Sequence, residues 1–299
     1  MVEKCAKEIS EKHLSFNKFA LIPTFLDHIH FRMPQTVTFQ FLVFFFYLLV
    51  TTEISVAQNS RITDENSIGW YALTGILTLD KKIGIQGEYH FRRDEIITKW
   101  QQGLFKIAMN YQLHPRLQFR LGYGLAETFP YGDIPINSFG KKFTEHRIFE
   151  AITINDNIGI AGLSNRFMLE QRWIGKYSNQ RLKKEDGFTY VNRFRYMLRI
   201  QLPLNNTKMQ DHTLYLAAYN EVMLGFGRNI NENVFDQNRL GVMAGYNLNT
   251  NVKFEAGYLL QVAQLGREIN GRNVFQYNKG LLVNALINLE FSKKSPARR

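Results

Sequence analysis

The stretch "NRLGVMAGYNLNTNVKFEAGYLLQV", from Asn238 to Val262, holds two alternating runs around a short polar turn. Leu240, Val242, Ala244, Tyr246 and Leu248 alternate with Arg239, Gly241, Met243, Gly245 and Asn247. After the turn Asn249-Thr250-Asn251, Val252, Phe254, Ala256, Tyr258 and Leu260 alternate with Lys253, Glu255, Gly257, Leu259 and Gln261. Successive side chains of a strand point to opposite faces, so this is a hairpin with one apolar side and one largely polar side. The apolar side faces either a protein core or lipid.

The same period of two runs through the chain from Ile68 onward, in segments near 68–79, 83–93, 100–112, 117–127, 145–154, 158–173, 189–203, 212–224, 237–248, 252–263 and 275–291. No amphipathic helix competes with these eleven segments. Tight connections at 80–82, 113–116, 155–157 and 249–251, with a slightly longer one at 204–211, alternate with polar connections at 94–99, 128–144, 174–188, 225–236 and 264–274. Short turns at one end and long loops at the other describe an up-and-down barrel, whose short ends face the periplasm in a bacterial outer membrane. Single-chain bacterial barrels have even strand counts. The parity leaves three options: the polar stretch 58–67, "QNSRITDENS", crosses although it looks nothing like a strand, a strand hides in a long loop, or 68–79 lies outside the wall. The expected fold is an all-β, closed up-and-down antiparallel transmembrane β-barrel of twelve strands, with ten as the alternative.

Four features favour lipid over core. Many segments have ten or more residues, whereas about 9–11 tilted residues cross a bilayer and ordinary strands average about 5–6. The row opposite the apolar one carries Glu88, Arg92, Lys106, Arg120, Lys253 and Glu255 among glycines, as a wet lumen accepts. Trp70, Tyr71, Tyr89, Phe91, Trp100, Tyr111, Trp173, Tyr190 and Phe291 sit near segment ends, where interfacial girdles need amphipathic rings. An export signal precedes the segments. "FLVFFFYLLV", Phe41 to Val50, is too short to span as a helix, and Ser55-Val56-Ala57 offers small residues for cleavage after Ala57. Translation starting at Met33 rather than Met1 would shorten the long segment before that apolar core; both starts stay open. Residues 1–57 are thus expected to be an extension and signal peptide, 58–67 a flexible segment, 68–291 the barrel and 292–299 a basic tail.

The formal net charge of +11 is not concentrated in a basic run or nucleic-acid motif, so nucleic acid is not an expected partner. Cys5, the sole cysteine, precedes the expected cleavage site, which excludes an intrachain disulfide and a cysteine metal site. No cofactor motif is present. The expected partners are a lipid bilayer, the barrel-assembly machinery through the strand ending at Phe291, and small anionic solutes.

The strongest constellation is ionic. Arg147, Arg166, Arg172, Arg193, Arg195 and Arg199 come from three consecutive segments, with Glu170 and Glu221 in the same sheet. These residues are expected to line the lumen. Either Arg and Glu pair across strands and brace it, or the excess of Arg makes a constriction that favours anions. Catalysis would need a nucleophile, a base and an orienting group. His146 or His90 would be the candidate base of a barrel enzyme acting on lipid or lipopolysaccharide, but no Ser–His motif accompanies either. A secreted lipocalin-like carrier is the third possibility, with the apolar row turned inward.

Several stretches resemble the domain-of-unknown-function family numbered 2490, predicted outer-membrane proteins. They are "WYALTGILTLDKKIGIQGEYHFR", "FKIAMNYQLHPRLQFRLGYG", "EHRIFEAITI", "SNRFMLEQRW", "VNRFRYMLRIQLPL" and "LYLAAYNEVML". The resemblance implies a barrel in the outer membrane and no established activity.

Overall fold

The computed structural model describes residues 61–230 and 233–290. Eleven strands follow one another: β1 (Arg61–Thr78), β2 (Ile83–Asp94), β3 (Lys99–His114), β4 (Leu117–Thr128), β5 (Phe143–Ile158), β6 (Ala161–Lys176), β7 (Gly187–Pro203), β8 (Thr213–Phe226), β9 (Phe235–Asn249), β10 (Val252–Ile269) and β11 (Arg272–Glu290). Each pairs antiparallel with the next, and β1 pairs with β11 to close the barrel. Closure leaves no sheet edge with unpaired backbone groups.

The count corrects the expectation of twelve or ten strands: among the described residues there are eleven. An odd up-and-down series brings its first and last strands together pointing the same way, and β1 and β11 are indeed parallel, from Arg61 opposite Asn273 to Thr78 opposite Glu290. The seam is tight: a Cβ added to Gly280 would lie 1.7 Å from the carbonyl oxygen of Ile68. The polar stretch 61–67 is the start of β1, not a flexible segment. Its outward side chains Arg61, Thr63, Glu65 and Ser67 are exposed and polar, so the apolar alternation vanishes there while pairing to β11 continues. The loop expected at 264–274 is also absent, because β10 and β11 run on to a tight turn at Asn270-Gly271, both with positive φ. Residues 1–60, including the expected signal peptide and cleavage site, and the terminal stretch with Phe291 lie outside the described residues.

Loops 95–98, 129–142 and 177–186 and the loop residues 227–230 and 233–234 share one end of the barrel, and the turns at 79–82, 115–116, 159–160, 204–212 and 250–251 the other. In the first of these turns the backbone N–H groups of Lys82 and Ile83 donate to Asp80, holding its carboxyl below the usual carboxylate range.

The apolar row of the decisive hairpin points outward: Val242 is 53% exposed and Tyr258 51%. Leu73, Leu121, Phe105, Ile148, Leu169, Leu216 and Leu281 face out in the same way. The other row is buried in the interior, with Arg239, Asn247 and Gln261 under 9% exposed. A soluble carrier has the reverse arrangement. Trp70, expected in an outer aromatic girdle, belongs to the inner row and is 6% exposed. Interior space is made by glycine: a Cβ on Gly245 would lie 2.2 Å from the ring of Tyr215. That ring packs over Gly245, and its hydroxyl donates to Glu255 at 2.8 Å.

Candidate functional site

Register builds the site. Arg147 of β5 lies opposite Arg172 of β6, and Glu170 of β6 opposite Arg193 of β7. All four side chains point inward with the buried row. Like charges set side by side need a shared counter-charge. Glu145, two residues before Arg147, supplies it, accepting from Arg147 Nε at 2.7 Å and Arg172 Nε at 2.5 Å. Glu170 accepts from Arg193 Nε at 2.7 Å and Arg195 NH1 at 2.7 Å. Glu221 on β8 takes Arg195 NH2 at 2.6 Å and Arg166 NH2 at 2.7 Å, with Arg239 NH1 at 3.6 Å. Asp236 on β9 takes Arg193 NH1 at 2.7 Å and Arg172 NH1 at 3.6 Å. Six arginines therefore share four carboxylates.

The structure thus places seven of the eight residues singled out in the sequence in one network. Arg199 stands apart, paired with Glu255, which also accepts from Tyr215 and Asn284. Nearer β2 to β4 a third group forms, with Glu88 against Lys106 at 2.5 Å, His90 at 2.9 Å and Arg120 at 3.8 Å.

The sequence placed Arg92 and Glu255 in the lumen-facing row without tying them to the ionic cluster, and it did not single out Glu145, Asp236 or Arg239 as members of that cluster. Glu145 and Arg147 share a face by parity, so the alternation could have found it. Asp236 lay in a stretch assigned to a loop. The partners of Arg92 and Arg239 depend on packing across the barrel, which has no local signal.

At the long-loop end a cavity of about 290 Å³ opens above the network. Five arginines line it, Arg92, Arg147, Arg172, Arg193 and Arg239, against the carboxylates Glu145 and Asp236. Trp70, Gln101, Gln102, Gln237, Gln261 and Gln276 add an aromatic face and amides. Loop 129–142 crosses over it from β4 to the seam. Tyr131 donates its hydroxyl to Gln276 on β11 at 2.8 Å, while Asp64 on β1 accepts from the backbone N–H of Asp133 at 3.3 Å and of Ile134 at 3.2 Å. Arg267 on β10 donates to the carbonyl of Pro135 at 2.7 Å.

The histidines considered for catalysis are held otherwise. His146 is on the outer row, its Nδ1 2.6 Å from the Tyr123 hydroxyl, and His90 is on the inner row against Glu88. Among the described residues no group of three or more His, Cys, Asp or Glu side chains is placed to hold a metal ion. Asp156, near the end of β5, pairs with Arg116 at 3.2 Å.

The family model described as protein of unknown function DUF2490 matches residues 68–270. No match is found among curated proteins. Among solved structures the chain is similar to one described as "NanC porin structure in rhombohedral crystal form", at 13% sequence identity and a TM-score of 0.42, over 74% of this chain and 98% of that one.

Proposed function

Because this chain belongs to the DUF2490 family, whose description assigns no function, we propose a role from its own geometry: an integral outer-membrane barrel offering small anions a narrow, arginine-lined path. The observation that carries this is the inversion of the barrel, apolar outside and ionic inside. A lipid-facing surface must be apolar and leave no unpaired backbone group, and a closed barrel with this outer row meets both conditions. Strands of 12 to 19 residues are long enough to cross and to project beyond the hydrocarbon. Eleven strands lie between the roughly eight that side chains fill and the roughly 16–18 that leave a wide aqueous channel.

A second reading has its own support. Four carboxylates shared among arginines of β5, β6, β7 and β9 brace the interior, as in a closed structural barrel. Heat-modifiable mobility in a detergent gel tests the barrel in its membrane setting, and planar-bilayer recording of the purified protein separates the two readings. Anion-selective conductance supports a path. Silence from protein that is folded and inserted favours the brace.

A further inference from the structure

We propose that the cavity under the long loops binds one small oxyanion group, a carboxylate or a phosphate, between Arg92 and Arg239 beside Trp70. The inference deepens the anion-path reading by locating its binding step, and rests on that reading only for the purpose of the site.

The arginines first singled out are the wrong ones to attract an anion. Arg193 and Arg195 each sit between two carboxylates, and Arg199 has Glu255. Arg92 differs. Among the described residues it has no carboxylate within ion-pair distance; its NH1 donates to the neutral Gln102 at 2.8 Å, and its Nε has no hydrogen-bond partner. Arg239 is only partly compensated: its NH2 goes to the neutral Gln237, its one carboxylate contact is Glu221 at 3.6 Å, shared with Arg166 and Arg195, and its Nε is also unpartnered. Both residues are 8% exposed.

Trp70 ties the two together. The Arg92 guanidinium carbon lies 3.8 Å from its ring centroid and that of Arg239 4.8 Å. The ring is itself fixed by its indole N–H, donated to Gln101 at 2.6 Å. Cation–π contact steadies a guanidinium without neutralising it. Two desolvated cations against one ring, each with an unpartnered donor, are costly unless an anion joins them. A guanidinium matches carboxylate and phosphate oxygens because its donors form a planar fork. The carboxylates that do line the cavity, Glu145 and Asp236, are already engaged by Arg147, Arg172 and Arg193. At about 290 Å³ the cavity is near the lower end for small-molecule sites, so the occupant is small.

The test is calorimetric titration of the full barrel in detergent with sodium phosphate and, separately, sodium acetate, at constant ionic strength set by sodium chloride. Saturable binding at one site is expected in at least one arm, and the arm that binds names the group. R92Q and R239Q should each weaken it about tenfold or more, the value of one charge-assisted hydrogen bond, whereas R116Q at an exposed turn should not. R92K and R239K keep the charge but lose the fork, and should weaken binding as well. They serve where a neutral variant does not fold. No saturable binding in either arm, or affinities unchanged in the folded Arg92 and Arg239 variants, would overturn the proposal. Binding without conductance leaves the site standing and removes the path; conductance without binding does the reverse.

Discussion

Arg166 on β6 reaches past β7 to Glu221 on β8, with 2.7 Å between NH2 and Oε1. Both side chains point into the barrel, where the curvature of the wall brings side chains two strands apart toward each other. Arg195 of the intervening strand closes on the same oxygen at 2.6 Å.

Glu221 is 3% exposed and serves three arginines. Glu221→Gln leaves those cations short of a counter-charge. It is expected to destabilise the folded barrel by about 3–5 kcal/mol, the range for breaking a buried pair. Urea unfolding in detergent, followed by loss of heat-modifiable mobility, measures it. Arg166→Gln should cost less, because Arg166 is 21% exposed and Glu221 keeps two partners. Equal losses would show that Glu221 is not the hub.

Val242 lies in the outer apolar band and is 53% exposed. Val242→Arg is expected to cost roughly 2–4 kcal/mol in a bilayer, as a cation does on the lipid face near the midplane. Folding equilibria in phospholipid vesicles give the number. A cost near zero would put this face in water and end the membrane assignment.

Replacing Arg193, Arg195 and Arg199 together by Gln strips cations from Glu170, Asp236, Glu221 and Glu255. The interior balance shifts toward negative charge, and reversal potentials in a salt gradient should move toward cation preference. An unchanged reversal potential in a folded, conducting variant would remove these residues from any selectivity role.

Loop 129–142 is pinned across the barrel mouth through Tyr131, Asp64 and Arg267. Shortening it across 132–140 should raise single-channel conductance if the loop is the narrowest point. No change would place the constriction lower, among the ion pairs.

Gly245→Val places side-chain atoms where the Tyr215 ring lies, 2.2 Å from the first added carbon. The ring must leave and its hydrogen bond to Glu255 goes with it. A loss of about 1–3 kcal/mol, typical of overpacking, is expected in the same unfolding assay. Tyr215→Phe in the wild-type background, which removes only the hydroxyl, separates the two contributions.

Much of the fold was legible because alternation is local: each residue declares its face by its position along the strand. All eleven segments correspond to strands, and the outer row appears as expected at Leu121, Val242 and Tyr258. The strand count departs from twelve or ten because a parallel pairing of β1 with β11 lets an odd series close, which no local pattern signals. The start of β1 was invisible because its outward residues are polar, and its pairing with β11 lies about two hundred residues away in sequence, as the Asp64–Gln276 contact illustrates.

The period of two, the segregation of apolar from ionic side chains, and the strands that carry arginine are all written in the order of residues along the chain. The parallel closure, the inward turn of Trp70, and the division of arginines into fully and poorly compensated ones arise only when the barrel closes. Facing is set by single-residue parity, but charge balance is set by which strands meet across a closed interior, and that depends on register summed around the whole barrel.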